Sequence, residues 1–234
     1  MMNSDETAAA IRAALEHNPA IDMNRFPISV RVDDIVHLEG EVKDIIAKRK
    51  ALRVARLVAG TARIEDRLRL ATRERIASDK LRDAAVTALQ QEPAFAAMDI
   101  GTGADKPAGQ EQDWIRVAAQ DCVLRLTGEV NSLSHRRLAE VIAWWVFGCC
   151  DVDNRLHVRP AEEESDAEIA DAVRLVFDKD PALDAEQISV VARAREVTLR
   201  GAVRSEEQKR IATRDCWYIP GVHAVHNQLQ VLPR

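Results

Sequence analysis

Six of the nine glycines fall into three pairs with one spacing, Gly40/Gly60, Gly128/Gly148 and Gly201/Gly221, each twenty residues apart. A feature repeated in register along 234 residues makes the chain a row of similar small units rather than one large core. The text around the first glycine repeats as well: Leu38-Glu39-Gly40-Glu41-Val42, Leu126-Thr127-Gly128-Glu129-Val130 and Leu199-Arg200-Gly201-Ala202-Val203. After the second glycine come Ile64-x-Asp66-x-Leu68-x-Leu70, Val152-x-Asn154-x-Leu156-x-Val158 and Val225-x-Asn227-x-Leu229-x-Val231, with no gap in the offsets. Upstream, Pro19-Ala20, Pro93-Ala94 and Pro181-Ala182 mark a third shared point.

Each copy resolves into the same elements. Ser4, Ser78 and Asp166 stand as N-cap candidates, since a short polar side chain accepts from first-turn N–H groups. Apolar residues then recur at i, i+4 (Ile11/Leu15, Ala85/Leu89, Val173/Phe177), the stripe of a helix packed on one face, which the proline ends. Two alternating runs follow, Ile28-x-Val30-x-Val32 into Val36-x-Leu38 and their counterparts, which predict a hairpin of half-buried strands. The turn near Asp33-Asp34 is one residue shorter than the other two. A second cap candidate (Asp44, Ser132, Ser205) opens a second helix, with Ser205 and Gln208 predicted as a capping box. That helix is expected to end at the second glycine as a left-handed C-cap, and the last run is a third strand.

The predicted fold is therefore α+β: three tandem small α-β-β-α-β domains at residues 4–71, 78–160 and 165–233, each a three-stranded mixed sheet with two helices on one face. Units this small sit near the lower limit for an independent core, so packing between domains is expected to matter. The middle copy carries an insert at about 99–113, with three glycines, which reads as an exposed flexible loop.

This pattern resembles the BON domain, a small module of bacterial envelope and stress proteins. The Leu-x-Gly-x-Val step carries the resemblance, with the alanines Ala51, Ala139 and Ala212 in the second helix and the closing Gly-Val-x-x-Val-x-Asn-x-Leu. The third copy matches best, as Gly221-Val222-His223-Ala224-Val225-His226-Asn227-Gln228-Leu229. The resemblance implies a non-enzymatic binding protein in a stress-related role, engaging anionic phospholipid surfaces or protein partners. It also admits a potassium-binding cytosolic sensor, as proposed for some BON proteins joined to a LysM domain, or an interaction scaffold.

The residues themselves argue against several chemistries. A net charge of −5, with 38 Asp+Glu against 33 Lys+Arg, excludes a bulk nucleic-acid binder of the histone kind. Gly101-Thr102-Gly103 lacks the strand-to-helix context of a phosphate cradle. His223, His226 and Cys216 do not form a zinc set, and no metal, cofactor or catalytic residue is assigned. The four cysteines read as buried or free thiols, not a disulfide frame. The N-terminal residues carry no visible signal peptide and no run is long enough to span a bilayer, so a cytoplasmic location is expected.

One polar feature recurs: a basic dipeptide eight and nine residues past the first glycine, Lys48-Arg49, Arg136-Arg137 and Lys209-Arg210. These six are the candidate contacts to an anionic surface, with a plain solvated helix face as the competing reading. The acidic stretch Glu162-Glu163-Glu164 is expected to oppose such binding. Trp144, Trp217 and Tyr218 are candidate interface aromatics, Trp144 being expected to be more exposed than Trp145.

Overall fold

The computed structural model describes residues 3–60, 62–71, 74–103 and 113–232. They form two compact units, Met1–Arg73 and Glu74–Arg234, the first holding one copy of the repeat (module 1) and the second holding two (modules 2 and 3). Module 1 runs α1 (Ser4–Glu16), β1 (Ile28–Val32), β2 (Val36–Val42), α2 (Ile45–Ala59) and β3 (Ile64–Leu70). Module 2 runs α3 (Ser78–Gln90), β4 (Asp99–Thr102), β5 (Trp114–Gln120), β6 (Val123–Val130), α4 (Leu133–Trp145) and β7 (Asp151–Val158). Module 3 runs α5 (Asp166–Lys179), β8 (Ile188–Arg193), β9 (Glu196–Val203), α6 (Glu206–Tyr218) and β10 (Ala224–Val231).

In every module the strand that carries the first glycine lies between an antiparallel and a parallel neighbour, in the orders β1-β2-β3, β4-β5-β6-β7 and β10-β9-β8. One sheet face is buried under the helices: in module 1, Val36, Leu38, Val42 and Leu68 meet Ile11 and Leu15 of α1 and Ala47, Ala51 and Ala55 of α2. The alanines of α2 leave no bulk between helix and sheet, so the helix backbone sits close, which is why alanine recurs there in each copy.

The first glycines are fixed by the same closeness. Gly40, Gly128 and Gly201 pair with Ile28, Ile115 and Ile188 across the hairpin, at φ +149°, +146° and +124°. A Cβ on them would lie 2.5 Å from the Pro27 carbonyl oxygen, 2.0 Å from that of Trp114 and 2.0 Å from that of Gln187. Both the dihedral and the contact with backbone exclude any side chain.

Several sequence-based expectations need correction. The first-helix caps sit one residue earlier, at Asn3, Ala77 and Ser165. Asn3 makes a full capping box with Glu6, while Ser78 donates to the Asp121 carbonyl and Asp166 accepts from Ala194 and Arg195, tying the β8–β9 turn to α5. Asp44, Ser132 and Ser205 do cap the second helices. The box at Ser205 is incomplete, because the Gln208 side chain takes the Arg204 N–H instead. Gly60 is a C-cap at φ +65°, whereas α4 and α6 end at Val146 and Ile219, two residues before Gly148 and Gly221.

The short hairpin of module 1 stops pairing at Val32–Val36 and leaves a three-residue connection, against two residues in the others. The expected loop insert begins as a strand: Asp99–Thr102 pairs parallel with Trp114–Val117, giving module 2 a fourth strand, and Gly101 and Thr102 lie on it. Residues 104–112 of that insert lie outside the described residues. Finally, Cys122 and Cys150 form a disulfide, while Cys149 and Cys216 are buried thiols. The β6–β7 register pairs Val123 with Asp151, so the residues just before them are neighbours, and Cys150 N–H donates to the Cys122 carbonyl at 2.8 Å.

Replacing Gly128 by Ala is expected to cost on the order of 1–3 kcal/mol in chemical denaturation, at the upper end of backbone strain, because the clashing atom is backbone and cannot turn aside. Gly60→Ala, which meets nothing within 4 Å, should cost less.

Candidate docking site

The repeated asparagine of the last strand explains where the first residue of each basic dipeptide goes. Asn154 donates from Nδ2 to the Arg136 carbonyl (3.0 Å) and accepts at Oδ1 from Leu156 N–H (3.1 Å). Asn227 does the same with the Lys209 carbonyl (2.8 Å) and Leu229 N–H (3.0 Å). An amide can face both ways, so it pins α4 or α6 to its strand. Module 1 has Asp66 there, whose carboxyl group lacks the amide's N–H donors. It takes Leu68 N–H at 2.9 Å, and the missing donor is supplied by Lys48, whose ammonium lies 2.9 Å from Asp66 and also donates to the Leu68 carbonyl. Lys48 is 2% exposed, so it belongs to the interior of module 1.

In module 2 the second residue of the dipeptide meets module 3. Arg137, 2% exposed, donates through Nη1 to Glu168 of α5 at 2.6 Å, and Ser134 donates to the other Glu168 oxygen at 3.2 Å. Glu162 accepts the Leu133 N–H at 2.7 Å, closing the N-terminus of α4, where a carboxylate also meets the positive end of the helix dipole. Glu164 pairs with Arg195 at 2.9 Å. The acidic stretch therefore fastens modules 2 and 3 together. Farther along, Trp144 stacks on Tyr218 of α6 with ring centroids 5.9 Å apart, and Lys179 pairs with Glu92 at 2.8 Å.

Trp144 and Trp217 are both buried, and Trp145 is the half-buried member of its pair, the reverse of the expectation. The reason is the docking of module 3, which covers the α4 face that a lone module would expose. Beside it, a cleft of about 440 Å³ is lined by Ala88, Ile142, Trp145 and the largely exposed Phe147, with the Glu92–Lys179 pair in its wall.

Counted from the first glycine, the α4 positions of Arg137, Val141 and Trp144 correspond to Arg49, Arg53 and Arg56 of α2. Where α4 spans from cation to aromatic, α2 carries three arginines at i, i+4 and i+7, Arg49 and Arg53 half-buried and Arg56 exposed, with half-buried Lys50 beside them, exposed Leu57 following, and no acidic residue between 45 and 59. The charge of the chain is divided accordingly. Residues 1–73 hold thirteen Lys+Arg and eleven Asp+Glu, and residues 74–234 hold twenty and twenty-seven. On α6, Arg210 is exposed and pairs with Glu207, and Lys209 is half-buried; Arg136 is half-buried on α4. The three dipeptides thus do not form three like surface patches. Among the described residues no helix is long and apolar enough to cross a membrane, and no group of three or more His, Cys, Asp or Glu is placed to hold a metal.

A BON domain family model matches residues 3–72, 104–160 and 165–233. The chain belongs to the BON domain family. BON domains are generally binding modules without catalysis. A search of curated proteins gave no match. Two solved structures of CdsD, a structural protein of the type III secretion system of Chlamydia trachomatis, are similar at 13% identity and a TM-score of 0.26. One is its C-terminal domain, with 99% of this chain and 100% of that one covered; in the other the shares are 97% and 92%.

The third BON domain also holds a carboxyl group in its interior. Asp215 of α6 is fully buried, and neither of its oxygens receives a donor. Burial first, and then the neighbouring Asp180 carboxylate, push its pKa up to about 8, against the opposing pull of Arg214 at 3.6 Å. Burial and the Asp215 charge push the adjacent Cys216 thiol up as well. Because the folded pKa lies above the unfolded one, the folded state holds a proton that the unfolded state has lost. The stability is complete below about pH 4 and falls as pH rises through about 8, with a slope near 1.4 kcal/mol per pH unit for one proton. Asp215→Asn keeps the shape and needs no proton. Its stability advantage over the parent should widen from pH 5 to pH 8 and level off above, as read by denaturant midpoints at each pH.

Proposed function

We propose that the chain is a non-enzymatic docking protein, with a stress-related role, in which the outer face of a second helix is the binding element and module 1 offers that face to an anionic partner. The observation that carries this reading is the contact of α4 with module 3, in which Arg137 meets Glu168 of α5 and Trp144 meets Tyr218 of α6. Module 1 repeats the position with Arg49, Arg53 and Arg56. Attraction between an arginine stripe and carboxylates falls with salt, because exposed charges are screened over about 8 Å at physiological ionic strength. An acidic protein segment suits this face, as Glu168 suits Arg137.

The exposed Leu57 next to Arg56 favours a second reading, an anionic phospholipid surface. Near such a surface each cation contributes about 1 kcal/mol, so Arg49, Lys50, Arg53 and Arg56 give about 4, which alone is millimolar binding. Burying Leu57 adds about 1.5–3 kcal/mol.

The acidic peptide of residues 162–179, the segment that α4 holds in the intact protein, is a defined probe. The full chain should bind it in a salt-sensitive way, and Arg49→Glu with Arg53→Glu and Arg56→Glu should weaken binding at least about tenfold, one step of 1.4 kcal/mol. Arg136→Glu with Lys209→Glu and Arg210→Glu should leave it nearly unchanged. Equal losses from both sets would contradict the assignment to α2. Sedimentation with phosphatidylglycerol-containing and pure phosphatidylcholine vesicles tests the lipid reading, which requires loss on Leu57→Glu as well.

A further inference from the structure

The buried carboxyl group of module 3 sits between the two contacts that close one end of the join with module 2. Lys179, the last residue of α5, pairs with Glu92, and Tyr218, the last residue of α6, stacks on Trp144. The residue after Lys179 is Asp180, and the residue one turn before Tyr218 is Asp215. Their carboxyl groups meet between the two helices in a side-chain hydrogen bond. Such a contact exists only while one of the two carries a proton. Asp215 is fully buried and receives no donor, so the shared proton is what makes it tolerable there. The other titratable groups around it are Arg214, 3.6 Å away and half-exposed, and Cys216, both on α6.

The fold does not ask for an acid at this place. Counted from the first glycine, Asp215 corresponds to Val54 in module 1 and Ile142 in module 2. Counted from the proline, Asp180 corresponds to Asn18 and Glu92. In module 2 the carboxylate therefore faces an apolar position, and it is satisfied by Lys179 and the Ala94 N–H. Module 3 alone sets acids at both positions.

We propose that this proton is a latch on the join of modules 2 and 3: when Asp215 gives it up to water, two like charges stand between α5 and α6, and the helix ends that carry Lys179 and Tyr218 move off module 2. Arg137 and Glu168, in the first turn of α5, hold the other end, so the join opens as a hinge and widens the cleft that Lys179 walls. Water does not reach a side chain with no exposed surface, so the proton leaves as the helix ends part. The sign follows from linkage. The closed form keeps the proton up to about pH 8, whereas in the open form Asp215 returns toward the ordinary 3.8. The ratio of open to closed form therefore rises with pH, by up to about tenfold per unit, and levels off above about 8.

Fluorine NMR of the full chain labelled with 5-fluorotryptophan reads Trp144 directly, with Trp114→Phe, Trp145→Phe and Trp217→Phe assigning the other three of the four tryptophans. From about pH 5 to about pH 9 the Trp144 signal should shift toward the solvent-exposed position and level off near 8, while Trp114 of β5 stays in place. Asp215→Asn and Asp215→Ile, the second being the residue of module 2, should each hold the Trp144 signal fixed over the same range. Melting curves confirm that both variants fold. A Trp144 signal that stays in place in the parent overturns the proposal, even where the denaturant midpoint falls with pH, because the acid is then buried without working a latch. A shift that persists in a folded Asp215 variant overturns it as well.

Discussion

The second helix of every module is held to the last strand by one polar side chain that must bond in both directions. Asn154 and Asn227 do this with a single amide, and module 1 reaches the same end with two residues, Asp66 and Lys48. Once the inner face of the helix is committed to that tether and to its alanines, the outer face is left with a fixed orientation and a free choice of chemistry. Modules 2 and 3 use the choice to join, and module 1 carries arginines at the corresponding positions. The different surfaces of three similar folds follow from this one constraint.

The join between modules 2 and 3 is more a device of register than a source of large stability. Arg137 is buried with its Nη2 lacking a partner, so its attraction to Glu168 is offset by desolvation, as is usual for interior ion pairs. The burial of Trp144 and the stacking on Tyr218 supply the apolar part of the contact. Asp215 adds a second uncompensated polar group in the same unit, which makes unit two lose stability as pH rises from about 4 to about 8. The Cys122–Cys150 bond staples the hairpin turn of module 2 to its last strand, at the rung where module 3 has the His223 to Arg195 backbone bond.

Much of the fold was legible because the repeat supplies three readings of every position. The strands, second-helix caps and glycines followed from spacing and alternation, and the glycine contacts with the facing backbone give the physical reason. What failed was whatever depends on a side-chain partner that spacing along the chain does not display. Lys48 reads as a surface cation until Asp66 is placed beside it. Arg137, Trp144 and the Glu162–Glu164 stretch read as solvent-facing until module 3 covers them. β4 was missed because its four residues sit in a glycine-bearing insert with too little alternation to register. The Cys122–Cys150 bond could have been found by extending the β6–β7 register one residue outward.

The central claim is that the outer face of a second helix is a docking face keyed by an arginine on a first-helix carboxylate. The direct measurement is a double-mutant cycle on the unfolding free energy of the full chain, with Arg137→Ala, Glu168→Ala and the pair. The account predicts that each single change destabilises unit two and that the pair loses less than the sum, by a coupling of at least about 1.5 kcal/mol. Additivity within about 0.5 kcal/mol would contradict it, because residues that do not share a contact add in that way.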